Sequence, residues 1–234
     1  SNFNCCHKDR CYEAGGRHEL YTGSEAHVGS RYGDPFRIVV VSLDRGEGSE
    51  NVQDRSTHIE ALSLDGLNPH MKGTLRILQA LLGAPDKGQD IWKHFVLTNA
   101  AKCCYVGHGM DSVPEKLYEN CGEFGKGELE VLAPDLLITQ GTNALWPIWG
   151  LGEDLDAQGL ASIYAGKGAQ SEVKDLIANA IETYLCTVPI GSRQAVCLKV
   201  PHPSSRGGQW QQFEKLFLDL LCAIARDLVG GSSS

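Results

Sequence analysis

The segment Phe95–Cys104 reads FVLTNAAKCC and gives the most direct indication of the fold. Its first three residues are apolar and β-prone, which is typical of a buried strand. The segment becomes polar at Thr98 and Asn99, where a parallel strand would leave its sheet. Ligand sites in open α/β sheets lie at the carboxyl ends of the strands, so Asn99 is a candidate binding residue. A simple turn at the end of a strand would give the same pattern.

Three further segments are predicted to be strands of the same sheet. The clearest is 37–42, RIVVVS, an apolar and β-branched run typical of a parallel strand that is buried on both faces. Residues 136–139 (LLIT) and 195–200 (AVCLKV) have a similar character. Helices are predicted at 67–83, at 113–132 with a bend near Gly125, at 171–185 and at 211–229, and residues 150–168 are predicted to be a loop. The alternation predicts an α/β fold: a three-layer α/β/α domain with a four-stranded, mainly parallel sheet.

The two ends of the chain differ from this pattern. Residues 1–36 lack apolar runs and are predicted to form an irregular arm. An arm of this length is uncommon in a compact domain unless something ties it down. We expect one domain over residues 1–229, and the GGSSS at 230–234 is typical of a linker.

Composition restricts the classes of function. The 234 residues are 42% apolar and carry a formal net charge of −8. No apolar run is long enough for a membrane span and no signal-peptide core is recognisable, so we expect a cytoplasmic protein that does not bind membranes. The acidic balance is unusual for a protein that neutralises many phosphates, so a nucleic-acid site would require a local basic patch.

The nine cysteines are odd in number, which argues against a disulfide scaffold. Six lie in the arm or after the central strand: Cys5, Cys6, Cys11, Cys103, Cys104 and Cys121. The other three have apolar neighbours and are interpreted as core thiols: Cys186, Cys197 and Cys222. Four thiolates suit zinc or a [4Fe–4S] cluster, although the close Cys-x-x-Cys pairs typical of zinc sites are missing. Core cysteines without any metal are the third alternative.

Several motifs follow one another in a specific order: TNAAKC at 98–103, NC at 120–121, PDLLITQG at 134–141 and HPS at 202–204. This order resembles the uracil-DNA glycosylase superfamily, most closely its iron–sulfur (family 4 type) branch. The resemblance covers roughly residues 37–210 and the N-terminal cysteines. Two motifs depart from the family. SLDRG at 42–46 stands where the family has a GEAPG-like loop, and Cys5 or Cys6 with Cys11 replaces a close-spaced cysteine pair.

The resemblance implies a DNA glycosylase that removes uracil, or a related deaminated base, by hydrolysis after base flipping. Asn99 would read the base, because an amide matches part of the acceptor–donor–acceptor edge of uracil. His70, where the family has a stacking aromatic residue, would cover the base. His202 would stabilise the negative charge on the leaving base, and Asp44 would orient water or stabilise the sugar cation.

The resemblance also implies partners and a cofactor. Ser204 and Arg206 would contact phosphates of DNA that contains a damaged base, and the protein would act as a monomer. The resemblance favours a structural [4Fe–4S] cluster over zinc, held by Cys5, Cys11, Cys103 and Cys121. A different class of function also fits the sequence: a non-catalytic nucleic-acid or nucleotide binding module on the same fold. The missing proline of the first motif, His70 and the acidic charge favour that alternative.

Overall fold

The computed structural model describes residues 5–16, 20–21, 25–43, 55–83, 88–105, 114–205 and 207–231. The helices are α1 (Lys8–Ala14), α2 (Arg55–Glu60), α3 (Pro69–Leu82), α4 (Glu115–Leu132), α5 (Ala157–Tyr164), α6 (Ser171–Tyr184), α7 (Gln209–Leu216) and α8 (Leu218–Gly231). The strands are β1 (Leu20–Tyr21), β2 (His27–Val28), β3 (Ile38–Ser42), β4 (Phe95–Asn99), β5 (Cys104–Tyr105), β6 (Leu136–Gln140), β7 (Leu185–Ile190) and β8 (Arg193–Val200). Short 3₁₀ helices cover Gly88–Lys93 and Thr142–Ile148.

Six strands of the described residues form the main sheet, in the order β2-β4-β3-β6-β8-β7. The inner strands β4, β3, β6 and β8 are parallel to one another, whereas β2 and β7 pair antiparallel at the two edges. The predicted α/β class is confirmed, but the sheet is mixed and six-stranded, not four-stranded. β7 has no separate signal in the sequence, because this strand follows α6 with no intervening turn. It also contains Pro189, a residue that fits only an edge strand.

The predicted helices form with some differences. α3 and α6 lie where they were expected. The predicted bend near Gly125 is wrong: α4 is continuous, and a Cβ at Gly125 would lie only 2.7 Å from Pro147 Cγ, so this glycine allows close packing. The expected C-terminal helix is divided at Phe217 into α7 and α8, and the predicted loop at 150–168 contains α5. No helix of the described ranges is both long and apolar enough to cross a membrane.

The N-terminal arm is more regular than predicted. It contains α1, and β2 pairs with β4 through His27 opposite Leu97. A Cβ at Gly15 would lie 2.0 Å from the Tyr105 ring, and the Tyr105 hydroxyl donates to the Cys11 carbonyl oxygen at 2.5 Å. Backbone pairing and direct packing thus hold the arm against the segment that follows β4.

Both faces of the sheet are buried. Ile38 and Val40 of β3 belong to one apolar cluster, and Val39 and Val41 belong to a second cluster on the opposite face. All four side chains are at most 1% exposed. Since successive residues of a strand point to opposite faces, a continuous apolar run is required here, as the sequence predicted.

An ion pair joins the beginnings of β3 and β6. Asp135 Oδ2 accepts hydrogen bonds from the Arg37 backbone N–H at 2.9 Å and from Arg37 Nε at 3.0 Å, and Oδ1 accepts from Nη2. Burial acts to raise the pKa of Asp135, but the hydrogen bonds and charge of Arg37 outweigh burial and hold that pKa below its ordinary value. The ionised form of Asp135 therefore stabilises the folded state.

Replacing Asp135 with Asn should lower the free energy of unfolding by about 1–3 kcal/mol, because the Arg37 guanidinium loses its anionic partner. Urea denaturation at pH 7 measures this change. The control is Asp34→Asn, which removes an exposed pair with Arg31 at 2.7 Å and should cost less than about 1 kcal/mol. Because the folded pKa is depressed, the contribution of Asp135 should disappear as the pH falls through that pKa. Equal losses in the two variants would contradict this role of the pair.

Candidate active site

The carboxyl ends of the parallel strands bring polar side chains together at one edge of the sheet. Ser42 ends β3 in register with Asn99 at the end of β4, and Gln140 ends the neighbouring β6. Their exposed fractions are 2%, 3% and 0%. Buried polar groups need hydrogen-bond partners, so this edge requires further polar side chains from neighbouring elements.

His70, in the first turn of α3, is one such partner. Its Nε2 lies 2.6 Å from Ser42 Oγ and 2.7 Å from Gln140 Oε1. Gln140 Nε2 donates to Thr74 Oγ1 at 2.9 Å, so the amide oxygen of Gln140 faces His70. Ser42 Oγ donates to the same oxygen at 2.8 Å. Acceptors therefore surround Nε2, which favours the neutral tautomer that carries its proton there.

The start of α3 fixes the position of His70. Asn68 caps the helix, and its side-chain oxygen accepts from the Met71 backbone N–H at 2.8 Å. Pro69 follows in the first turn, where its missing N–H costs nothing. The short sequence NPHM therefore places His70 at a defined helix terminus, beside the ends of the parallel strands.

His70 stacks directly on His202. The two imidazole rings have centroids 5.3 Å apart and an interplanar angle of 2°. Gly73 allows this approach, because a Cβ there would lie 2.3 Å from Pro203 Cβ. The loop after β8 therefore packs against α3, and the two predicted site histidines form one stacked pair.

Both imidazoles are neutral near pH 7. Burial lowers the pKa of His70 to about 4, and the neighbouring His202 contributes to this shift. Burial also lowers the pKa of His202. His202 Nδ1 accepts from the Ser204 backbone N–H at 3.3 Å, which places the proton of the neutral ring on Nε2. His202 can thus present an uncharged N–H donor to a bound molecule.

Each stacked imidazole lines a cavity. A cavity of about 600 Å³ is bounded by His70, Asn99 and residues of α2 and of the loop before α3. A second cavity of about 780 Å³ is bounded by His202, Gly141, Asn143 and Lys199. Both volumes lie in the range of small-molecule pockets, and both cavities open at the carboxyl edge of the sheet.

Arg55 contacts the candidate base-reading residue. Its Nη1 donates to Asn99 Oδ1 at 2.7 Å and to the Glu25 carbonyl oxygen at 2.8 Å. Arg55 was not predicted as a site residue, because it lies in a polar stretch without periodicity. Ser42 and Gln140 were not predicted either, since a polar residue at the end of a strand is common. The side chains that complete this site therefore carried no distinctive sequence signal.

The structure brings together three of the predicted site residues: Asn99, His70 and His202. Ser204 lies in the same loop as His202. Asp44 and Arg206 lie outside the described residues. Asn99 at the end of β4, His202 after β8 and His70 at the start of α3 thus lie at one edge of the sheet, whereas the roles of these residues stay predictions.

The predicted metal ligands lie where the arm meets α4 and the end of β4. Cys11, Cys103 and Cys121 are buried and Cys5 is partly buried, whereas Cys6 is exposed. Burial raises the pKa of the Cys11 thiol, and the neighbouring Cys5 raises it further. The pKa of Cys121 is raised by burial and then by Cys11 and Cys5. Of the two adjacent residues Cys5 and Cys6, Cys5 is therefore the one that interacts with the other thiols.

N–H donors point at three of these sulfurs. They are the His7 backbone to Cys5 at 3.4 Å, Asn120 Nδ2 to Cys11 at 3.2 Å, and the Lys102 backbone to Cys121. The pKa of Tyr105 is raised to about 12, first by burial and then by Cys11, Cys103 and Cys121. Hydrogen bonds to sulfur are typical of iron–sulfur ligands, so the residues present fit a cluster.

Single-ion and cluster sites place different demands on these thiols. Among the described residues, no three His, Cys, Asp or Glu side chains lie close enough to share one ion. A zinc ion would need its sulfurs about 2.3 Å away. A [4Fe–4S] cluster has a larger body that separates its four ligand sulfurs, so the spacing required for a single ion does not apply to it.

A buried ion pair links the two candidate centres. Lys102 Nζ donates to Thr98 Oγ1 at 2.5 Å and to Glu128 Oε2 at 2.6 Å. Burial lowers the pKa of Lys102, and the Glu128 carboxylate opposes that shift. The pair fixes the turn between Asn99 and Cys103, so that the candidate base-reading amide and a candidate cluster thiol are held by the same segment.

Comparison of the chain with models of protein families and with curated proteins found no match.

The neutral state of His70 predicts a dependence of stability on pH. Unfolded His70 binds a proton near pH 6.5, whereas folded His70 binds one only near pH 4. The unfolded state therefore holds more protons between these values, and the protein should lose stability as the pH falls from 6.5 to 4. His70→Gln should reduce this loss by up to about 3 kcal/mol, measured by urea denaturation across that range. His58→Gln, at an exposed histidine of α2, is the matched control, and an equal reduction in both variants would contradict the assignment to His70.

Proposed function

We propose that the protein is a DNA glycosylase that removes uracil, or a related deaminated base, after base flipping. The domain would have the three-layer α/β/α arrangement of that superfamily. The observation that carries the proposal is the geometry around His202: its Nδ1 accepts from the Ser204 N–H, and its ring stacks on His70 at the edge where Asn99 ends its strand. The sequence motifs supply the link to DNA bases.

We place the flipped base where the cavities of about 600 and 780 Å³ adjoin, at the stacked rings of His70 and His202. Asn99 would pair with part of the edge of the flipped base, and His70 would cover its face. Asn99 Oδ1 accepts from Arg55 in the structure, so a base N–H that used this oxygen would share or replace that bond. Arg55 therefore belongs to the proposed recognition group.

His202 would act on the leaving base. Breaking the N-glycosidic bond places negative charge on a base oxygen, and an N–H donor in a preformed position stabilises that charge. Burial keeps the imidazole uncharged, so the donor needs no prior protonation near pH 7. The Ser204 N–H and the Pro203 contact with Gly73 hold the ring in place.

The remaining proposed roles concern the sugar and the phosphates. Asp44 would orient the attacking water or stabilise the sugar cation. Ser204 and Arg206 would contact phosphates, together with the cations that line the two cavities, Arg55 and Lys199. α3 also begins beside the site, and a helix N-terminus favours negative charge. The three cations and the start of α3 would supply local positive potential on a chain whose net charge is −8.

Cys5, Cys11, Cys103 and Cys121 would hold a [4Fe–4S] cluster with a structural role. Bound there, the cluster would cross-link the arm to α4 and to the turn after Asn99. Zinc is the lesser alternative. The hydrogen bonds to Cys5, Cys11 and Cys121 support the cluster.

A second candidate function is a binding module for nucleic acid or nucleotides without catalysis. The contact between Arg55 and Asn99 favours it, because the amide oxygen expected to read a base already accepts a hydrogen bond. The two candidates differ in one measurable property, which is the release of free base from DNA.

Wild-type protein should release base in single-turnover assays on single- and double-stranded oligonucleotides that carry uracil, hypoxanthine or xanthine. His202→Ala should slow release by roughly 100- to 1,000-fold, since one donor to a developing anion is lost. Asn99→Ala should cost about 1–3 kcal/mol in apparent activation free energy, because groups of the base lose their partner. The control Asn179→Ala, on the exposed side of α6, should be silent.

DNA affinity separates the chemical step from binding. His202→Ala should bind DNA like the wild type, because phosphate contacts supply most of the affinity. If wild-type protein with its metal centre loaded binds DNA but releases no base, the binding-module function replaces the enzyme. Loss of DNA binding in His202→Ala would contradict its assignment to chemistry.

Anaerobically purified protein should contain about four iron and four sulfide per chain, with the visible absorption of a [4Fe–4S] centre. Cys121→Ser should lose iron and absorption, because one of four ligands is removed. Cys6→Ser is the matched control and should retain both, since Cys6 is exposed. Colourless protein with stoichiometric zinc and no iron would reject the cluster.

A further inference from the structure

Two cysteines outside the proposed sites lie directly opposite each other. Cys186 of β7 and Cys197 of β8 are partners in the antiparallel ladder. The neighbouring Thr187 directs its backbone N–H and C=O to Glu153, away from β8, at 2.9 and 2.8 Å. In an antiparallel ladder, opposite residues whose backbones bond each other alternate with opposite residues whose backbones do not. Thr187 is of the second kind, so the backbones of Cys186 and Cys197 bond each other, which places their Cα atoms about 5.5 Å apart. That separation lies within the range of disulfides.

The two thiols already interact. A hydrogen bond between the two thiols lowers the pKa of Cys186 to about 7, against the opposing effect of burial. Lys199 also lowers the pKa of Cys186, and Asp154 raises it. The pKa of Cys197 is raised by the same bond and by complete burial. Cys186 is therefore the more readily ionised of the two residues, and Cys197 remains a thiol.

Cys186 faces a cavity of about 270 Å³, which shares Leu145 and Lys199 with the cavity that His202 lines. Trp149, Gly152 and Lys199 line it with Cys186. Gly152 leaves space beside the sulfur, since a Cβ there would lie 3.4 Å from Cys186 Sγ. Cys197 has no exposed surface and does not line this cavity. A small molecule can thus reach the first sulfur but not the second.

We propose that Cys186 and Cys197 form a reactive dithiol site whose substrate is a small hydroperoxide. The Cys186 thiolate attacks one peroxide oxygen, the O–O bond breaks, and the leaving hydroxide takes up a proton to become water. Cys186 is then a sulfenic acid. The Cys197 sulfur attacks the Cys186 sulfur, the S–O bond breaks, and the leaving hydroxide takes the Cys197 proton. Two thiols are oxidised to one disulfide, and hydrogen peroxide is reduced to two waters.

The position of β7 suits this change. β7 is an edge strand of the sheet, and its outer side is paired with Glu153 at an isolated bridge through Thr187. The disulfide requires the two sulfurs to approach to a bond length of about 2.05 Å, and an edge strand has a neighbouring strand of the sheet on one side only. The pair shares no residue with the proposed cluster or base pocket, so its reaction does not depend on glycosylase activity.

Peroxide treatment of the whole, metal-loaded protein at pH 7 tests the proposal. After free thiols are alkylated and the chain is digested, mass spectrometry should find peptides joined through Cys186 and Cys197. A thiol reductant should separate them. Cys222 is the internal control, because it is also buried and its pKa is raised to about 12. It should stay reduced under the same conditions.

Two variants define the order of the steps. Cys197→Ser should stop at the sulfenic acid, so dimedone should label Cys186. Cys186→Ser should leave Cys197 unoxidised, because that sulfur is not accessible.

Lys199→Gln should slow the labelling of Cys186 several-fold, whereas Lys215→Gln, at an exposed lysine of α7, should not.

Three results would overturn the assignment. The first is an absence of linked Cys186 and Cys197 peptides after oxidation of the wild type. The second is equal dimedone labelling of Cys186 and Cys222 in Cys197→Ser. The third is oxidation of Cys197 in Cys186→Ser, which would show that the buried sulfur reacts first.

Discussion

The parallel register of β3 with β4 and β6 is the constraint on which the candidate site depends. Ile38 pairs with both Phe95 and Leu136, so these strands begin at one level of the sheet and also end at one level. Apolar burial on both faces fixes this register, because a slip by one residue would turn every side chain to the opposite face. The polar ends of the strands are then brought together as a consequence of core packing.

Burial of polar groups at that edge determines their chemistry. Ser42 and Gln140 satisfy their hydrogen bonds through His70, and the enclosed imidazoles of His70 and His202 are neutral because a charge there would lose its solvation. The same desolvation that would destabilise charged histidines makes His202 a neutral donor. Stability and proposed function therefore depend on one physical effect, and the backbone N–H of Ser204 selects the tautomer.

The cysteines have different environments in different parts of the fold, although their side chains are identical. Cys11 and Cys121 accept N–H hydrogen bonds at the junction of the arm and α4, an environment suited to a metal centre. Cys186 and Cys197 instead donate and accept between themselves across two strands, beside a cavity that only Cys186 lines. We therefore propose a structural role for the first group of thiols and a redox role for the second.

The sequence by itself determined the α/β class and the four inner strands of the sheet, because continuous apolar strand runs are local patterns. It did not determine the two edge strands. β2 is held by pairing with β4, which is distant in the chain, and β7, although it forms a hairpin with β8, follows α6 with no turn that would mark its start. Tertiary structure alone decided that Arg55 contacts Asn99, that the two histidines stack, and that Cys186 lies opposite Cys197. Those contacts depend on helix positions and strand register, which arise only when the whole core packs.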